Sequence, residues 1–248
     1  MADRRPTLRA LSVAPRRRRR RPRRLARTVV IVLVAIAVPV ILVVNGFRLA
    51  ATDGFVRLAY ERDGFPRDRL GLEAPARLKL ALLGLEAIMP GGDGTALLEQ
   101  ARLPDGERAF NARELTHMED VRGVLGGALR IQLLAAAGIV LLALLFARSA
   151  LRGAVATGLL VGAAATLGIA VAAVPTVVAG FDGVFLRFHS LFFEGQTWRF
   201  PSTDTLIRVY PEAFWVTTAQ VVAAATLVQA IVLAFVAATW RRRARRIR

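Results

Sequence analysis

The stretch GAVATGLLVGAAATLGIAVAAVPTVVAG, residues 153–180, runs for 28 positions without a charged side chain. A hydrocarbon layer of about 30 Å takes about 20 apolar residues as helix, so this run is long enough to cross a membrane. A second run of the same kind, residues 216–239, carries no charge over its whole length. Two shorter runs, 28–44 and 131–146, reach membrane length when Asn45-Gly46-Phe47 and Gly126-Gly127-Ala128-Leu129 are counted with them. Arg130 then falls inside the second span and must snorkel or face the bundle. The fold class that follows is an all-α integral membrane protein with four transmembrane helices, over about 28–48, 126–147, 153–180 and 216–239.

Composition agrees. The 248-residue chain is 55% hydrophobic, yet its net charge is +17 and its pI about 11.8. A soluble domain does not combine those values, whereas apolar spans with basic ends do. The basic ends also orient the chain. Residues 1–27 hold 12 arginines against one acid, the tail 241–248 holds six against none, and the link 147–152 holds Arg148 and Arg152. The segment 50–130 instead balances 11 basic with 13 acidic residues, and 181–215 balances three with four. The positive-inside rule puts both termini and the short link in the cytoplasm. The expected organisation is a cytoplasmic Arg-rich tail over 1–27, a membrane domain over 28–240 with outer loops 50–125 and 181–215, and a basic cytoplasmic tail over 241–248.

The run Arg16–Arg21 is assigned to anionic lipids of the inner leaflet, and nucleic acid is excluded because no nucleic-acid fold accompanies it. The first apolar run exceeds the ~7–15 residues of a signal-peptide core and lacks a small-x-small site after it, so an uncleaved helix is expected. With no cysteine there is no disulfide, thiol nucleophile or lipid-bearing cysteine.

The outer loops carry helices of their own. Residues 54–62 and 75–89 space their apolar side chains helically (Leu78, Leu82, Leu85, Met89), which predicts amphipathic helices on the outer leaflet or over the bundle. Phe181, Phe185, Phe188 and Phe192 recur at intervals of four, three and four, giving a helix with one aromatic face. That face suits a lipid interface or, alternatively, an acyl-chain slot.

Chemistry concentrates on the only two histidines, His117 and His189, one in each outer loop. In FNARELTHMEDVRGVL, residues 110–125, Arg113, His117 and Asp120 share one helical face, with Glu114 at its edge. Asp120 is positioned to accept the imidazole Nδ1–H and leave Nε2 as a base; a solvated helix end with its own ion pairs explains the same spacing. His189 lies among aromatic residues that favour its neutral form. Asp204 is its first candidate acidic partner, with Glu194 and Glu212 behind it, and Trp198, Tyr210 and Trp215 fit an aromatic belt at the membrane surface.

The string Asn111-Ala112-Arg113-Glu114-Leu115-Thr116-His117-Met118-Glu119-Asp120-Val121 resembles the bacterial lipoprotein intramolecular transacylase (Lit) family. So do Phe188-His189 and the downstream Trp198, Pro201, Asp204, Leu206-Ile207, Pro211-Glu212 and Phe214. The resemblance covers residues 28–240 and leaves out the Arg-rich tail. It implies an acyltransferase of the cell membrane that moves the sn-2 acyl chain of a diacylglyceryl-modified N-terminal cysteine onto that cysteine's α-amino group. The partners it implies are diacylated lipoproteins and membrane phospholipid, and His117 and His189 match the family's functional histidines. Such a reaction needs a base for the α-ammonium, a donor for the oxyanion, for which Arg113 or a backbone N–H is available, and a proton for the departing glyceryl oxygen. It needs no cofactor.

Two other classes fit less well. A metal-dependent membrane hydrolase would use both histidines and a carboxylate, but HExxH-type spacing is absent. A scaffold or small transporter is the other; no span carries a mid-membrane charge and no inverted repeat is visible.

Overall fold

The computed structural model describes residues 20–178, 180–195 and 197–246. Nine helices appear among them: α1 (Arg20–Ala50), α2 (Asp53–Glu61), α3 (Ala74–Ile88), α4 (Ala96–Gln100), α5 (Ala112–Phe146), α6 (Arg152–Val178), α7 (Phe181–Phe192), α8 (Thr205–Val209) and α9 (Glu212–Arg246). A single antiparallel bridge, Arg102 to Arg108, is the only β pairing among the described residues. Stretches of α1, α5, α6 and α9 are long and apolar enough to cross a membrane. The chain is a multi-pass membrane protein.

Helices α1, α6 and α9 pack against one another, while α5 leans chiefly on α1. Lipid is as apolar as leucine, so close approach of small residues holds such helices together rather than burial from water. Gly158 and Gly162 of α6 show it. A methyl group on either would come within 2.7 Å of Val34 Cβ or 2.6 Å of Val38 Cβ on α1. A polar chain crosses the same bundle: Gln132 Nε2 donates to Asn45 Oδ1 at 2.5 Å, and Asn45 Nδ2 donates to Gln229 Oε1 at 3.1 Å. These bonds tie α5, α1 and α9 together where no water competes. Arg130 is exposed on the outside of the bundle and so takes the snorkelling course.

The helix order places the rest. The chain rises through α1, descends through α5, rises through α6 and descends through α9. The connections 51–111 and 180–211 therefore meet at one end of the bundle, and the start of α1 and the end of α9 lie at the other. At 35 residues α5 extends for about 52 Å, so its first turns, polar from Arg113 to Arg122, stand beyond a layer of about 30 Å.

Over those turns the connections fold into a cap with its own core. Phe55, Val56, Leu80, Leu98, Phe110, Met118, Leu206, Val209 and Phe214 are buried together, drawn from six helices and the segment before α5. At its centre lies Arg77, only 3% exposed. Its guanidinium donates to the Arg208 carbonyl at 2.9 and 2.6 Å and to the Pro66 carbonyl at 2.8 Å, and it faces the rings of Tyr60 and Phe65. The Tyr60 and Tyr210 hydroxyls donate to the carbonyls of Val209 and Ala81, and Arg208 pairs with Asp68 at 3.0 Å. An isolated buried guanidinium would be costly; here carbonyls take up its donors.

Candidate active site

Helix α5 begins on a reciprocal cap. Glu114 N–H donates to Asn111 Oδ1, and the Asn111 N–H donates to Glu114 Oε2 at 2.8 Å. Glu114 is only 1% exposed, and its other oxygen accepts the Leu206 N–H at 2.7 Å. One carboxylate thus fixes the start of α5 and rivets it to α8. Burial pushes the Glu114 carboxyl up, against the pull of the two backbone bonds. One turn further along the same helix stands His117.

Helix α7 supplies the second imidazole. Its aromatic stripe leaves Phe188 and Leu191 exposed and turns His189 inward. Past Phe192 the chain folds back through Gly195, whose φ of +65° suits a residue without a side chain. That return brings Phe193, Trp198 and Phe200 over the histidines.

The two rings lie 6.2 Å apart, centroid to centroid, and nearly parallel at 27°. Both are 8% exposed. Phe193 and Phe200 meet His117 edge-on at 4.9 and 5.4 Å. Phe185 lies 3.8 Å and Trp198 5.0 Å from His189. His189 Nδ1 sits 2.8 Å from the Phe185 carbonyl oxygen. A carbonyl only accepts, so Nδ1 carries the proton and the lone pair of the neutral ring is on Nε2. Burial among these rings, and then the nearby His189, push His117 down to about 4. Burial likewise lowers His189, opposed by its bond to Phe185. Two imidazoles so placed are neutral near pH 7, and a proton on one disfavours a proton on the other.

The carboxylates differ from their expected places. Asp120 is exposed, and His117 Nδ1 has no hydrogen-bond partner among the described residues, so Asp120 does not orient that ring. A shared helical face brings two side chains near each other only if neither has a better environment. Here the imidazole turns toward aromatic rings and the carboxylate toward water. Asp204 does not reach His189 either: it pairs with Arg113 at 2.8 Å. The Arg113 guanidinium lies over Phe200, 5.1 Å from its centre, so ion pair and stacking together clasp the 193–204 segment onto α5. This engages one guanidinium nitrogen of Arg113, Nη2, with Asp204. Trp198, 6% exposed, is a wall of the site rather than a belt residue.

Among the described residues no three histidine, aspartate or glutamate side chains converge as ligands for a metal ion. Both oxygens of Glu114 and the Asp204 carboxylate are engaged elsewhere, so the third ligand of a zinc site is not supplied beside the imidazoles. An open groove of about 680 Å³ runs between α2 and α3 beside Leu78 and Leu82, and none of the histidine cluster lines it.

Sequence reasoning missed Phe193 and Phe200 as walls, since aromatic density alone does not say which ring turns inward. It also missed the cap at Asn111, although Asn-x-x-Glu before a helical run is a readable signal.

The family model for the lipoprotein intramolecular transacylase Lit matches residues 96–215, which contain both histidines. An uncharacterised protein of Aquifex aeolicus is 35% identical over 187 residues, covering 73% of this chain and 80% of the relative. The structure of the membrane-integral lipoprotein intramolecular transacylase Lit from Bacillus cereus superimposes with a TM-score of 0.69 at 18% identity, over 90% of this chain and 99% of that one. A variant of the same protein with a histidine replaced by arginine gives 0.62 at 16% identity, over 94% and 99%. At these identities the structural likeness is one of fold. The family model and the relative assign the chain: it belongs to the lipoprotein intramolecular transacylase Lit family.

Proposed function

We propose that this protein moves the sn-2 acyl chain of a diacylated lipoprotein from its glyceryl oxygen to the α-amino group of the N-terminal cysteine, yielding the N-acylated lyso form. The observation that carries this reading is the pair of buried, stacked imidazoles at the end of the bundle away from both termini. The arginine asymmetry supports a cytoplasmic position for both termini and an extracytoplasmic one for the histidines. The membrane domain then spans 28–240, the capping helices lie at the outer leaflet, and the Arg-rich tails face anionic inner-leaflet lipid.

The chemistry suits a buried imidazole pair. The α-ammonium, whose pKa is about 8, loses one proton to solvent, and His189 Nε2 takes a second from the nitrogen as it bonds to carbon. The freed amine attacks the ester carbonyl carbon, and the carbonyl π electrons move onto oxygen. As the carbon–oxygen bond to glycerol breaks, the imidazolium returns its proton to the departing oxygen. One nitrogen proton goes to solvent and one passes through the imidazole to the glyceryl oxygen, which fits a pair that resists double protonation. His117 faces His189 across the stack and shares the proton. Donor ester and acceptor amine belong to one molecule, so holding them in place supplies much of the acceleration.

The test is expression in a host lacking the activity, followed by mass spectrometry of one model lipoprotein. The wild-type chain is expected to convert diacyl lipoprotein to the lyso form. His117→Asn and His189→Asn are expected to accumulate normally and lose most of that conversion. Wild-type yields of lyso product from both variants would overturn the reading.

A further inference from the structure

Two buried polar atoms have no hydrogen-bond partner among the described residues, His117 Nδ1 and Trp198 Nε1. Both belong to neighbours of His189, whose ring is 6.2 Å from that of His117 and 5.0 Å from that of Trp198. Everywhere else among the described residues, buried side-chain nitrogen and oxygen atoms are bonded. An unmade hydrogen bond on a buried donor costs roughly 1–3 kcal/mol, and folds keep such atoms sparingly. That both belong to the ring cluster around one histidine points to a ligand that completes them.

The two atoms differ in what they accept from a ligand. An imidazole nitrogen serves as donor or acceptor according to tautomer, whereas an indole nitrogen only donates and does not titrate. Trp198 N–H therefore asks for an oxygen with lone pairs, and gains most from one that becomes negative. Acyl transfer makes such an oxygen when an amine adds to an ester carbonyl. The charged donor on the helix of His117, Arg113, already gives one nitrogen to Asp204 and is half exposed, whereas Trp198 is buried.

We propose that Trp198 is a catalytic residue whose indole N–H donates to the ester carbonyl oxygen as it becomes the oxyanion. This rests on the acyl-transfer reading above. In the step, the amine nitrogen forms its bond to the carbonyl carbon and the π pair moves to oxygen, where Trp198 N–H holds it. The pair returns when the bond to the glyceryl oxygen breaks, and the proton passes through His189. Trp198 transfers no proton. Fixed beside His189 in a dry wall of rings, it needs no reorganisation as charge develops.

The test replaces Trp198 in the full chain by 2-naphthylalanine, which keeps a two-ring face against His189 but has no N–H, and in parallel by Phe. Conversion of a diacylglyceryl lipopeptide with a free N-terminal cysteine is followed in lipid nanodiscs, with His117→Asn and His189→Asn as controls. Loss of one oxyanion donor is expected to lower kcat about 10²–10³-fold, with KM changed less than about threefold. The melting temperature of the 2-naphthylalanine variant is expected to hold or rise, because an unpaired buried donor has gone, whereas Phe also leaves a gap. A 2-naphthylalanine variant within threefold of wild-type kcat, beside inactive histidine variants, overturns the role of Trp198 and leaves the acyl-transfer reading standing. So does a variant whose loss lies wholly in KM, since that marks the ring as packing. Active histidine variants would instead remove the reading itself.

Discussion

Arg77 and the histidine pair are both buried polar groups in the same cap, 3% and 8% exposed, yet they are built oppositely. Around Arg77 the guanidinium nitrogens meet carbonyls, and two aromatic rings cover its faces. Around the histidines there are rings and few partners, with two polar atoms left open. The first arrangement stabilises; it is complete without anything from outside. The second is incomplete: His189 Nδ1 is bonded to the Phe185 carbonyl, but His117 Nδ1 and Trp198 Nε1 are not bonded, and burial holds both imidazoles neutral. Proteins carry such incomplete polarity chiefly where a substrate will finish it.

The sharpest way to break this contrast is to remove each group and measure both activity and melting. His117→Asn and His189→Asn are expected to cost about 10²–10⁴-fold in turnover, the usual worth of a positioned acid or base. Their melting temperatures are expected to stay within roughly 3 °C of wild type, about 1 kcal/mol for a chain of this length. A large fall in melting for either would make that imidazole a structural group like Arg77. Arg77→Ala is expected to behave in the reverse sense. It strands the Arg208 and Pro66 carbonyls and opens a gap between Tyr60 and Phe65, at a cost of about 3 kcal/mol. That corresponds to a drop of roughly 6–12 °C by thermal unfolding in detergent. An unchanged melting curve would show that the cap does not depend on its buried cation.

How much of this contrast could be read in the chain depends on the range of the interaction. The four spans were legible because charge-free length is a local property, and the aromatic helix 181–192 because four phenylalanines repeat at helical spacing. The two histidines were legible as a pair by scarcity and by their place in alternate connections. Their carboxylate partners were not. Asp120 is three residues from His117, and spacing on a helix says only that two side chains are able to meet. Whether they do is decided by Phe193 and Phe200, which arrive from about 80 residues away and draw the imidazole out of water. Asp204 was expected beside His189 and pairs instead with Arg113, which lies over Phe200 and offers it a full charge, where a neutral imidazole offers only a dipole. Arg77 gave no signal at all, because its carbonyl partners at Pro66 and Arg208 carry no side-chain identity to read.

A pH profile sharpens the electrostatic half of the comparison. An exposed histidine gains its proton near pH 6.5. With both imidazoles lowered by burial, the base form persists into more acidic solution, so the imidazole's acid limb is expected below that of an exposed histidine. The sign follows from desolvation, which penalises the imidazolium and leaves the neutral ring untouched. Turnover measured from pH 4.5 to 7.5 on a detergent-solubilised lipopeptide tests it. An imidazole limb at 6.5 or above, beside the limb that the substrate's α-ammonium sets near 8, would mean that the working imidazole is hydrated and that the site opens before chemistry.

The smallest effect is expected at the residue that spacing alone made most attractive. Asp120 lies on α5 three residues after His117, and its carboxylate is exposed. The imidazole it was expected to orient has an unpartnered Nδ1 and is held by ring contacts instead. Asp120→Asn therefore removes one exposed charge on the N-terminal half of a helix whose first turn is already capped by Asn111 and Glu114. Surface substitutions of that kind usually stay within about 0.5 kcal/mol. Turnover within about twofold of wild type is expected, with an unchanged acid limb, in the same mass-spectrometric assay. If Asp120→Asn instead lost tenfold or more, or moved the acid limb, the carboxylate would be coupled to His117 during turnover. The ring would then have to leave its aromatic walls to reach it, and the difference between a complete and an incomplete buried site would describe only the resting protein.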